Sequence, residues 1–129
     1  MGDKYNMFLQ LAHTRLDVFD SSRQFVLECS KITKLLPTEE KFAMVQQIRR
    51  ACLSVHLNIA EGCSRKSMAE RKRFFEISRG SLIEVDTALD IAVHLKYAPV
   101  EELQSLGEKL TKTFKLLSGL INSNTPPQN

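Results

Sequence analysis

The chain contains no tryptophan, four prolines and five glycines in 129 residues. So few turn residues exclude a many-stranded sandwich or barrel, and strand-like alternation of apolar and polar residues occurs nowhere over a useful length. No apolar run approaches the ~20 residues needed to span a bilayer, and Met1 to Gln10 has no basic start followed by a long apolar core. Both point to a cytoplasmic protein that makes no membrane contact. The three cysteines, Cys29, Cys52 and Cys63, are an odd count without a CxxC, read here as reduced thiols. Phosphate-binding and hydrolase signatures are missing: there is no Walker A loop, GxGxxG or GxSxG.

What is present is helical periodicity. Apolar residues make up 43% and charged residues 26% of the chain, an ordinary globular balance. Pro37, Gly62 and Pro99 divide it into four long segments, expected as helices over about 14–36, 39–61, 68–97 and 100–121. The first carries Val18, Ser22, Phe25, Cys29, Ile32 and Leu36 at spacings of three and four. The second carries Met44, Ile48, Ala51, Val55 and Ile59. Thr38 is its expected cap, and Gly62 its expected left-handed terminator. The third opens on the capping box Ser67-Met68-Ala69-Glu70. It has two apolar lines: Phe75, Leu82, Val85 and Leu89, and beside them Phe74, Ile77, Ala88, Ile91 and Leu95. An arc this wide predicts contact with more than one neighbour. The fourth carries Leu103, Leu106, Leu110, Phe114, Leu117 and Ile121. These stripes and short connections predict an all-α, up-down-up-down antiparallel four-helix bundle over residues 1–121. Residues 122–129 (NSNTPPQN) read as a flexible polar tail, and residues 1–12 as a helical lead-in or a frayed arm.

Charge is unevenly spread. Residues 49–80 hold eight basic residues against Glu61, Glu70 and Glu76, a surplus of five, whereas the rest of the chain is slightly acidic. Arg65, Lys66, Arg71, Lys72 and Arg73 cluster where the third helix begins. Helix-end amides there would add to phosphate attraction, making nucleic acid the expected partner and these residues the candidate contacts. A solvated helix face is the plain alternative. Phe74 and Phe75 read as core anchors, so base stacking is not expected.

Catalytic constellations are weak. Cys52 and His56 stand one helical turn apart, but no third ligand completes a metal shell. His13 and His94 have no evident partner. Cys63 lies near Arg65 and Lys66, cations that would lower its pKa, although a plain loop thiol is the default. Glu61 and Glu84 lack a nucleophile or pocket beside them. We therefore expect no enzyme, no metal and no cofactor.

Gln47, Arg50, Ser54, Asn58 and Glu61 line one face of the second helix, and Ser81 and Glu84 interrupt an apolar row of the third. A carboxylate in such a row must pair or meet water, and Arg50 is the partner expected for Glu84. The sequence leaves open whether this stripe is exposed, buried or at a subunit contact.

The stretches Leu36-Pro37-Thr38-Glu39-Glu40, Gln46 to Val55, Asn58-Ile59-Ala60-Glu61-Gly62 and Arg79-Gly80-Ser81-Leu82-Ile83-Glu84 resemble the 23S rRNA-intervening sequence proteins, from about Phe8 to Ile121. The resemblance implies a four-helix bundle that assembles as a homopentamer. It also implies kinship with accessory factors that serve the reverse transcriptases of diversity-generating retroelements and bind nucleic acid through a basic surface. The motif residues carried over are Gln47, Arg50, Ser54, Asn58, Glu61, Gly62, Gly80, Ser81 and Glu84, assigned to packing and assembly. The expected function is a non-enzymatic, oligomeric accessory protein that binds RNA or DNA. The alternative is a scaffold that recruits a protein partner, such as a reverse transcriptase, without touching nucleic acid.

Overall fold

The structure, a computed structural model, describes residues 8, 9 and 11–125. Most of residues 1–12 and the end of the tail (126–129) lie outside the described residues. Four α-helices follow one another: α1 (Asp17–Ile32), α2 (Met44–Cys63), α3 (Met68–His94) and α4 (Gln104–Ser123). Short 3-10 turns at Ala12–Arg15, Thr33–Leu35, Thr38–Glu40 and Val100–Leu103 link or precede them, and there is no strand among the described residues. The protein is an all-α four-helix bundle. α1 packs on α2 and α4, and α3 packs on α2 and α4.

Each helix buries the stripe that its spacing defines. Val18, Ser22, Phe25, Cys29 and Ile32 of α1 meet Ile48, Ala51, Val55 and Ile59 of α2, Phe75, Leu82, Val85 and Leu89 of α3, and Leu106, Leu117 and Ile121 of α4. Cross-helix bonds fix the directions. Gln47 binds Glu84, Ser54 binds Ser81 and Ser78 binds the Val55 carbonyl, so partner numbers fall as those on α2 rise and the two helices run antiparallel. Ser22 to His56 and Ser30 to Arg49 give the same sense to α1 and α2.

The second apolar line of α3 departs from expectation. Ile77, Ile91 and Leu95 are 41%, 47% and 51% exposed, so no helix among the described residues covers them. Periodicity identifies a shared face; it does not say what lies against it.

Several ends also differ from the sequence reading. α2 starts at Met44, not Glu39, because Ala43 leaves helical geometry at φ −124°, ψ −97°. Thr38 makes no side-chain cap. Glu40 takes that role, its Oε1 accepting from the Met44 amide at 3.3 Å while its Oε2 accepts from the Tyr97 hydroxyl at 2.7 Å. Gly62 is not a left-handed terminator, since no glycine has positive φ among the described residues. It lies inside α2, at a position where a Cβ would come 2.7 Å from Cε1 of buried Phe75. The left-handed residue is Lys96, φ 64°, which closes α3 with Lys96 N–H on the Val93 carbonyl and Tyr97 N–H on that of Ala92. Finally, the polar tail begins later than expected: α4 runs to Ser123 and Asn124 is buried.

Candidate functional site

The basic cluster surrounds the turn from α2 to α3. Ser67 caps α3 by accepting from the Glu70 amide at 3.1 Å, the bond a capping box requires. The turn itself is held by two of the five cations expected to contact phosphate. Arg71 donates through Nη1 to the carbonyls of Cys63 (3.1 Å) and Arg65 (3.3 Å), and through Nε to Asn124 Oδ1 (3.3 Å). It thereby satisfies carbonyls that the end of α2 leaves without helical donors, and ties them to the end of α4. Arg65 pairs with Glu61 at 2.7 Å and lies 4.8 Å from the centre of the Phe74 ring. Its Nε is buried without a partner. Lys66 and Arg73 are exposed and Lys72 is half-buried. None of these three has a carboxylate within ion-pair distance among the described residues. The cluster thus divides into Arg65 and Arg71, which build the turn, and Lys66, Lys72 and Arg73, which face outward from it. Phe75 is fully buried, and the ring centre of half-buried Phe74 lies 4.8 Å from the Arg65 guanidinium and 5.8 Å from that of Arg73. Neither ring is open to a base.

The polar stripe is a seam between α2 and α3. Ser54 and Ser81 hydroxyls lie 2.9 Å apart, and Asn58 Nδ2 donates to Ser54 at both its carbonyl (2.9 Å) and its hydroxyl (3.0 Å). Gln47 donates to Glu84 at the water-facing end. Glu84 is therefore partnered by Gln47, not by Arg50, which is exposed. Gly80 is exposed as well, with nothing within 4 Å of where a Cβ would stand.

Cys52 and His56 turn toward α1. His56 Nδ1 lies 2.6 Å from Ser22 Oγ, and its ring stacks on Phe19 at 4.2 Å. Burial, reinforced by the Arg23 charge, lowers its pKa to about 4. Cys52 is bonded to Cys29 in a disulfide that links α2 to α1, which corrects the expectation of three reduced thiols. Their alignment was latent in the antiparallel register, which sets position 29 opposite position 52, and was hidden by reading all three cysteines as reduced thiols. Cys63 is the free thiol and ends α2; burial raises its pKa with Arg71 pulling it partly back, which fits the plain thiol taken as the default and not a thiol lowered by Arg65 and Lys66. His94 bonds the Asp90 carbonyl at 2.9 Å, and the His13 ring meets Phe19 edge-on. No group of three or more His, Cys, Asp or Glu could hold a metal among the described residues. No helix among them is long and apolar enough to cross a membrane.

Fold and site together define a four-helix bundle with a cationic turn and a polar seam between its second and third helices. The chain belongs to the 23S rRNA-intervening sequence protein family, whose pattern matches residues 14–119. It is similar to a crystal structure of a protein with unknown function from the S23 ribosomal protein family of Bacteroides thetaiotaomicron VPI-5482. The identity is 28% and the TM-score 0.74, over 81% of this chain and 97% of that one. No curated protein matches the chain.

Proposed function

We propose that this protein is a non-enzymatic, cytoplasmic accessory protein that assembles as a homo-oligomer and binds nucleic-acid phosphate at the α2–α3 turn. The observation carrying this reading is the division of labour within the cationic cluster. Arg65 and Arg71 are engaged internally, while Lys66, Lys72 and Arg73 extend from a turn that those contacts hold in place. Cations fixed on such a frame attract phosphate with little reading of bases, which suits a turn where Phe75 is buried and Phe74 is half-buried. Copies of the turn arrayed around an oligomer would add weak contacts by multivalency.

The registers between helices support an up-down-up-down order, in which α2 and α3 form one wall of the bundle. That wall carries exposed Ile77, Ile91 and Leu95 beside the polar seam and a bare Gly80. It is the surface we assign to self-assembly, in keeping with the packing and assembly role expected of Gln47, Arg50, Ser54, Asn58, Gly80, Ser81 and Glu84. The same apolar row favours a second reading, a scaffold that captures a protein partner without binding nucleic acid.

Binding to labelled structured RNA and duplex DNA across a salt series separates the two. The expected result is micromolar or tighter binding at low salt that weakens steeply as salt rises, and is lost in the triple variant Lys66→Glu, Lys72→Glu, Arg73→Glu. Absence of binding at low salt overturns the phosphate reading and leaves the scaffold. Arg71→Glu is a different probe, because it should disorder the turn and lower stability whether or not nucleic acid is present.

A further inference from the structure

Cys29 and Cys52 occupy facing positions on α1 and α2 with Cα atoms 6.9 Å apart, near the outer limit for a bridge. Both are buried to within 2% of complete exclusion from solvent. They are nonetheless not sealed from outside. A cleft of about 210 Å³ opens between the two helices, lined by Val26, Cys29, Ser30, Arg49, Cys52 and Leu53. Arg49 bounds it and donates to Ser30 Oγ at 3.3 Å. Arg49 and Cys52 are one turn apart on α2, so the guanidinium shares a face with the sulfur. Its charge at the mouth of the cleft attracts an anionic reagent. Cys63 lies eleven residues further along α2, roughly 16 Å away by helical rise, too far to exchange with the pair.

We propose that Cys29 and Cys52 form a reversible redox lock between α1 and α2, operated through this cleft by small anionic thiols and disulfides of the glutathione class. In the closing direction the Cys52 thiolate attacks the oxidised reagent, forming a mixed disulfide and releasing one reagent thiolate. The Cys29 thiolate then attacks the Cys52 sulfur and expels the second. Two electrons pass from the protein to the reagent, and two protein thiols lose their protons to solvent. Opening is the reverse, with two reduced reagent molecules consumed. The locked form constrains the segment 30–51, which includes the irregular stretch between the helices, so its unfolded chain has fewer conformations.

The test equilibrates the full chain with oxidised or reduced glutathione, quenches with an alkylating agent and counts modified cysteines by intact mass and peptide mapping. The expected oxidised form has one alkylated cysteine, Cys63, and the mass of a single chain lacking two hydrogens. The reduced form has three alkylated cysteines and melts about 10 °C lower. Cys29→Ala and Cys52→Ala should each abolish the melting difference, whereas Cys63→Ser should keep it. Arg49→Gln should slow the opening several-fold without changing its end point. Three alkylatable cysteines after oxidation, glutathione attached at Cys63 alone, or a melting temperature indifferent to reduction would each overturn the lock. The wild-type measurements decide the matter even where a cysteine variant folds poorly.

Discussion

Gly62 shows how a single atom can set the approach of two helices. A Cβ at this position would stand 2.7 Å from Phe75 Cε1 and 3.2 Å from Phe74 Cβ, and Phe75 is fully buried with no room to turn aside. Gly62→Ala should therefore destabilise the protein by about 1–3 kcal/mol, despite alanine's better helix propensity. Denaturant titration checks it, and an unchanged midpoint would contradict the close approach. Lys96 is the opposite case: it holds a left-handed conformation that costs a side chain energy, so Lys96→Gly should stabilise by about 0.5–1 kcal/mol. His56 adds a pH dependence. Its pKa in the fold is about 4, below the 6.5 of the unfolded chain. The unfolded state thus binds the extra proton between those values, and the neutral ring's contribution, complete above pH 6.5, is lost as pH falls toward 4. Comparing wild type with His56→Gln at pH 7 and pH 4.5 should show the wild type losing about 1–2 kcal/mol more, a figure reduced for the ring's partial access to water. Equal losses would mean that His56 is protonated as easily in the fold as outside it. None of these three sites was legible in the sequence. Gly62 follows an apolar helical pattern and invites reading as a terminator; its real constraint comes from a ring thirteen positions away.

Between elements, the apolar stripes were readable and the polar contacts that register them were not. Ser21 and Thr113 are both buried, with their hydroxyl oxygens 2.6 Å apart where α1 meets α4. Thr113 donates to the Lys109 carbonyl, so Ser21 donates to Thr113. Thr113→Val leaves the Ser21 hydroxyl buried without its acceptor and should cost about 1–3 kcal/mol. Adding Ser21→Ala to that variant removes the stranded donor and should restore part of the loss, which a double-mutant cycle would read as coupling between α1 and α4. Strict additivity would argue against the bond. A stripe of apolar letters cannot reveal such a pair, because each hydroxyl looks like a solvent residue until the facing helix is known. Arg71 was misread for the same reason. Within its own segment it is one cation among five, and its partner Asn124 lies 53 positions away in what looked like a tail. Only Lys66, Lys72 and Arg73, which no other element engages, are left open for the phosphate contact proposed above.

At the scale of the whole molecule, the decisive feature is an apolar row that the protomer leaves uncovered. Ile77, Ile91 and Leu95 fall on the α3 row that also carries Ser81 and Glu84, so they border the seam with α2 rather than scatter over the surface. Their spacing announced a buried face, and the four helices of one chain do not bury it. The self-assembly proposed above would reconcile sequence and structure, because further copies would bury the row as the core of an assembly. Light scattering should then give about five times the 14.7 kDa of one chain, the pentamer that the family resemblance implies. Because Ile77 and Ile91 are exposed in the protomer, Ile77→Arg with Ile91→Arg should leave its helicity intact while collapsing the assembly to single chains. Loss of multivalency should weaken nucleic-acid binding in the same variant even though Lys66, Lys72 and Arg73 are untouched. A wild type that scatters as a monomer would remove both the ring and the multivalency argument. A variant that stays assembled would move the contact to another face of the bundle, leaving these isoleucines without an explanation.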